Sequence, residues 1–106
     1  MKFFWFVGIF ITAALTISAA TWTGNLSTDW SSPGNWSPMG VPAGTTDVII
    51  PYVASGNYPD IQATPAYCRD LTIQPNASLT ISSATLYSNR DSYISGLLRI
   101  TSRPEI

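Results

Sequence analysis

There is no histidine in these 106 residues and only one cysteine, Cys68. The first absence excludes a histidine-based catalytic triad and a histidine metal site. The second excludes an intramolecular disulfide, so the chain is no cystine-stapled scaffold. Cys68 has no base beside it in sequence and reads as a small buried hydrophobe, not a nucleophile. Charge is scarce too: Asp, Glu, Lys and Arg make up 10% of the chain. No basic stripe is available to a nucleic-acid partner. A surface so poor in charge suits Thr, Ser and Asn better than Lys/Glu-rich helices. A phosphate-cradling loop is missing as well, because Gly34 and Gly44 sit in turn-like surroundings and start no helix. No catalytic residue, metal ligand or cofactor is therefore assigned.

Long hydrophobic runs are absent after the start. The one run present covers residues 3–17, behind Lys2, and leads to Ser18-Ala19-Ala20. A positive residue, an apolar stretch and small residues at the cut make residues 1–20 a helical signal peptide, cleaved after Ala20. A retained membrane anchor is the competing reading, but about 15 apolar residues fall short of the ~20 that span a bilayer. The expected product is secreted or displayed at the cell surface. It has four arginines against six acids, a net charge of −2. It is one small domain, burying only about 60–65% of its unfolded surface. The sequons at Asn25, Asn35 and Asn76 matter only in a cell that glycosylates.

What is present is tryptophan among turn residues. Trp22, Trp30 and Trp36 fall in a segment punctuated by Gly24, Pro33, Gly34, Pro38, Gly40, Pro42 and Gly44. No helix fits residues 21–46. They read as an irregular cap with one or two very short strands, anchored by the three indoles and Val41. Each large ring buries about 150–250 Å². From Asp47 the texture changes. Val48 and Ile50 share one face of a strand, Pro51 ends it, and residues 52–66 read as a long loop. Leu71-Thr72-Ile73, Leu79-Thr80-Ile81 and Leu98-Arg99-Ile100 then repeat apolar-polar-apolar, the period of a strand with one buried face. Val48 to Leu71 and Ile50 to Ile73 are both 23 apart, and Leu79 to Leu98 and Ile81 to Ile100 both 19. A coil with turns of roughly 20 residues would stack these strands in parallel and in register. A β-sandwich, with Pro75-Asn76 turning an antiparallel hairpin, is the alternative.

The Trp22-x-Gly24, Ser27-x-Asp29-Trp30, Pro33-Gly34-Asn35-Trp36, Gly40-Val41-Pro42 and Asp47-Val48-Ile49-Ile50 motifs, with the Leu-Thr-Ile repeats, resemble the opening of large exported bacterial surface proteins. The resemblance implies an all-β fold: the start of a single-stranded, right-handed parallel β-helix, with a Trp-rich cap at 21–46 and solenoid rungs at 47–103. It implies a non-enzymatic structural or adhesive scaffold and the N-terminal part of a longer chain, since Ser102-Arg103-Pro104-Glu105-Ile106 offers no cap. A looser similarity is to all-β extracellular domains that meet polysaccharides, which makes a surface glycan the candidate partner.

Three constellations bear on chemistry. Asp70 and Asp91 with Arg69 or Arg90 supply the residue types of a polysaccharide-degrading enzyme, but strand neighbours such as Arg69 and Asp70 point to opposite faces. Asp29, Asn35, Asp47 and Asp60 offer oxygen ligands for calcium without forming a calcium loop. Asp47 reads as a turn residue bonding nearby amides. Trp30, Trp36, Tyr52, Tyr58, Tyr87 and Tyr93 are candidate sugar-stacking rings, with the tryptophans expected buried and the tyrosines facing water.

Overall fold

The computed structural model describes residues 18–101. The expected helical leader, residues 1–17, lies outside the described residues, as do 102–106. Nearly all regular structure is β, with one 3₁₀ turn at Pro33–Asn35 and no α-helix among the described residues. Ten strands follow in order: β1 (Ser18–Trp22), β2 (Trp36–Ser37), β3 (Thr46–Ile50), β4 (Asp60–Ile61), β5 (Ala66–Cys68), β6 (Leu71–Ile73), β7 (Ser78–Ile81), β8 (Leu86–Ser88), β9 (Ser92–Ile94) and β10 (Leu97–Ile100).

They form three sheets, ordered β2-β1-β3-β6-β9, β10-β7-β4 and β5-β8. From β3 onward the chain visits the three sheets in a fixed cycle. Each strand therefore returns beside the one laid down about 20 residues earlier. Every pairing is parallel except β1 with β2. Val48 pairs with Leu71 and Ile50 with Ile73; Leu79 pairs with Leu98 and Ile81 with Ile100. These are the partners that the 23- and 19-residue spacings pick out. The hairpin alternative fails, because β6 and β7 lie in different sheets and each pairs in parallel elsewhere.

The period-two pattern sets which side chains meet inside. In β3, Thr46, Val48 and Ile50 are buried while Asp47 and Ile49 are only partly so. Ile73, Leu79 and Cys68 are wholly buried. Burying an aliphatic side chain of this size contributes about 1.5–3 kcal/mol, and the parallel register stacks such residues turn on turn.

The three indoles, expected to be buried, form one cluster. Trp22 meets Trp36 edge-on at 5.1 Å, and Trp30 meets Trp36 at 4.8 Å. Such T-shaped contacts add about 0.5–1.5 kcal/mol each to area burial. Trp22 Nε1 donates to the Asn57 carbonyl (2.7 Å) and Trp36 Nε1 to the Trp30 carbonyl (2.8 Å). Beside them Asn35 is fully buried. Its Oδ1 accepts from the amides of Leu26 and Ser27, and its Nδ2 donates to Ser27 Oγ and the Asp29 carbonyl. One side chain thus ties down the irregular 26–29 segment, whose amides have no strand partner.

Three expectations are corrected. Val41 is exposed and anchors nothing. The 52–66 loop contains β4, held by β7. Asp47 sits inside β3 and not in a turn. In the uncleaved chain Ser18, Ala19 and Ala20, the three residues before the expected cut, are the first residues of β1, with Ala20 buried and Ser18 Oγ 2.9 Å from Thr46 Oγ1.

Candidate functional site

Three surface features bring the singled-out residues together. The first is a cleft of about 350 Å³ lined by Thr28, Asp29, Ser31, Asp60, Gln62 and Thr64. It forms because the Asp60 amide donates to the Thr28 carbonyl (2.7 Å) and Asp29 bridges Asp60 in parallel. Both carboxylates already have partners. Asp29 accepts from the Ser31 amide and Ser32 Oγ; Asp60 accepts from Ser82 Oγ and Gln62 Nε2. The other two candidate calcium ligands are elsewhere, since Asn35 spends its amide on the cap and Asp47 is bound by arginine. The four do not converge on one ion.

The second feature is a charged ladder at the corner before β6 and β9. Arg69 reaches back to Asp47 with two bonds, Nε to Oδ1 at 2.8 Å and Nη2 to Oδ2 at 3.0 Å, while the Asp70 amide donates to Asp47 Oδ1 at 3.2 Å. One turn later the arrangement repeats. Arg90 Nη2 donates to Asp70 Oδ2 at 3.2 Å and the Asp91 amide to Asp70 Oδ1 at 3.1 Å. Arg69 holds the Asp47 carboxyl below the usual carboxylate range, chiefly by hydrogen bonding, and its own pKa is raised in return. The residue types of a degradative site are therefore brought together, but Arg69 is bound to Asp47 and Arg90 to Asp70, while Asp91 lies 4.0 Å from Arg90 Nε. Cys68 is buried, and desolvation pushes its thiol pKa up, the opposite of an activated nucleophile.

The third feature is aromatic. Trp30 and Trp36 are buried in the cap. Tyr58 is partly buried, its hydroxyl accepting from the Val53 amide and donating to the Asn76 carbonyl. Tyr52, Tyr87 and Tyr93 face solvent, and so does Tyr67, which sequence reasoning passed over. Tyr67 and Tyr87 are register partners in β5 and β8, stacked at 5.3 Å and 14°. Their 20-residue spacing was the available signal. Rings stacked on each other offer their edges, not a continuous face, to the solvent side, so a sugar can lie flat only at an end of the stack.

Among the described residues no three acidic, His or Cys side chains gather as a metal set, and no helix is long and apolar enough to cross a membrane. No curated protein and no solved structure matches the chain significantly. Residues 21–94, more than half of the chain, match a family described as a domain of unknown function (DUF8693). The chain belongs to that family.

Proposed function

We propose that this member of a family without an assigned function is an exported, non-catalytic scaffold: the N-terminal part of a right-handed parallel β-helix, structural or adhesive, at or beyond the cell surface. One observation carries the reading. In all three sheets each strand from β6 to β10 pairs in parallel, and in register, with the strand one cycle before it. A right-handed sense follows the general rule for parallel crossovers. The Trp cluster acts as the plug of the first turn. Residues 1–20 act as the export signal, on the composition of their sequence. The lack of histidine and the mutual neutralisation of Asp47, Arg69, Asp70 and Arg90 support a scaffold over an enzyme. Expression of the full chain in a bacterium tests this. The β-rich product should be recovered outside the cytoplasm, shortened at its N-terminus. Full-length protein confined to the cytoplasm overturns the reading.

A second reading, a carbohydrate-binding module, is favoured by the cleft around Asp29 and Asp60, whose hydroxyls, amide and carboxylates suit sugar hydroxyls. Retention on insoluble polysaccharides that survives washing, and is lost in Asp60→Ala, would select it.

A further inference from the structure

The two ends of the stack differ. At the first turn β2 lies antiparallel against β1 and the indoles close the core. At the last turn β9 and β10 are edges of their sheets, and β8 leaves one edge of the third open. The inward-facing positions there are uncovered. Ile73 and Leu79 are 0% exposed, yet their register partners one turn on, Ile94 and Leu98, are 42% and 37% exposed, and Ile100 is 67%. The charged ladder stops at the same place. Asp47 and Asp70 each receive a guanidinium and an amide N–H from the following turn, whereas among the described residues the Asp91 carboxylate meets its own neighbours alone, Tyr93 Oη at 3.5 Å and Arg90 Nε at 4.0 Å.

We propose that this end docks one further turn of polypeptide from outside these residues. The segment carries an Arg-Asp corner followed by an apolar-x-apolar strand, so that its arginine and the next amide engage Asp91 while the strand covers Ile94. The inference deepens the scaffold reading and rests on it. The chemistry excludes the nearer occupants. Arg103 comes 12 residues after Asp91, too soon for a turn of about 20, and the Pro104 that follows it has no N–H to give. A second copy stacked by its first turn brings no arginine, since none precedes Arg69. A copy stacked end to end by its own last turn runs its strands antiparallel and breaks the ladder. Adding a strand to an exposed sheet edge is a general mode of peptide recognition.

The test is amide NMR of the full chain titrated with a synthetic peptide copying residues 83–101, which holds the Arg90-Asp91 corner and lacks cysteine. Saturable shifts and slowed exchange confined to β8, β9, β10 and Asp91 are expected. A peptide with alanine in place of that arginine should bind about tenfold more weakly, the range for a lost charge-assisted bond. So should the wild-type peptide on Asp91→Asn, an exposed change whose unaltered spectrum elsewhere shows that the fold survives. No shifts at saturating peptide, equal binding of the arginine-less peptide, or self-association through this end without peptide each overturns the proposal. Loss of the parallel contacts in the free protein would instead sink the scaffold reading, so the two failures are distinguishable.

Discussion

Asn35 is the single side chain on which the irregular part of the cap depends most. Its four hydrogen bonds hold amides and a carbonyl between residues 26 and 29 that no strand reaches. Asn35→Ala leaves the Leu26 and Ser27 amides without their partner. These bonds are part-buried, and a lost hydrogen bond costs about 0.5–1.5 kcal/mol, so a loss of about 1–2 kcal/mol is expected in urea unfolding. Asp47 makes a second residue-scale case, through charge. Its pKa is lowered in the folded protein by Arg69, so its contribution is fully present above the unfolded value of about 3.9. That contribution is lost as pH falls through the lower folded pKa. Thermal melts of wild type and Asp47→Asn should therefore differ at neutral pH and converge in acid below that value. A gap independent of pH would mean that the carboxylate's charge is not what stabilises the corner.

Among the elements, β1 and the last turn carry the sharpest expectations. β1 was hidden in the sequence because the small residues that suit a peptidase also suit a strand packed closely on β3. A chain beginning at Thr21 lacks the pairing of Ser18, Ala19 and Ala20 with Thr46, Asp47 and Val48. Its melting temperature should fall by roughly 5 °C relative to a chain beginning at Ser18, the shift for about 1 kcal/mol in a domain this small. Equal melting temperatures would show that those three residues add nothing to the sheet. In the last turn, a Cβ on Gly96 would press against the backbone carbonyls of Ala77 and Gln74, and backbone cannot swing aside. Gly96→Ala should detach β10, exposing its amides to fast exchange while those of β3 and β6 stay protected. β3, β6, β7 and β10 were legible in the sequence because their alternation is strong and their spacing regular. β4 was not: two residues, Asp60 and Ile61, show no period, and only their pairing with β7 makes them a strand. β8 was equally faint, with Tyr87 between Leu86 and Ser88. Val41 misled because an isolated valine carries no information about which way its segment turns.

For the molecule as a whole, the parallel pairing of strands about 20 residues apart accounts for what the sequence concealed about the candidate site. The Asp47–Arg69 and Asp70–Arg90 bonds join residues more than one strand apart, and the Tyr67–Tyr87 stack joins register partners. Read along the chain, Arg69 and Asp70 are neighbours facing opposite ways; only the parallel pairing of β3, β6 and β9 gives each its own partner beside another strand. The same pairing leaves β9 and β10, at the edges of their sheets, exposed along their length. Everything rests on the claim that strands lie parallel one cycle apart, and interstrand NOEs in the isotope-labelled full chain test it most directly. Backbone contacts linking Ile49 to Thr72 and Thr72 to Tyr93, together with contacts of Thr80 to Arg99, are the predicted result. Cross-strand contacts joining residues 71–73 to 78–81 as an antiparallel hairpin would contradict it.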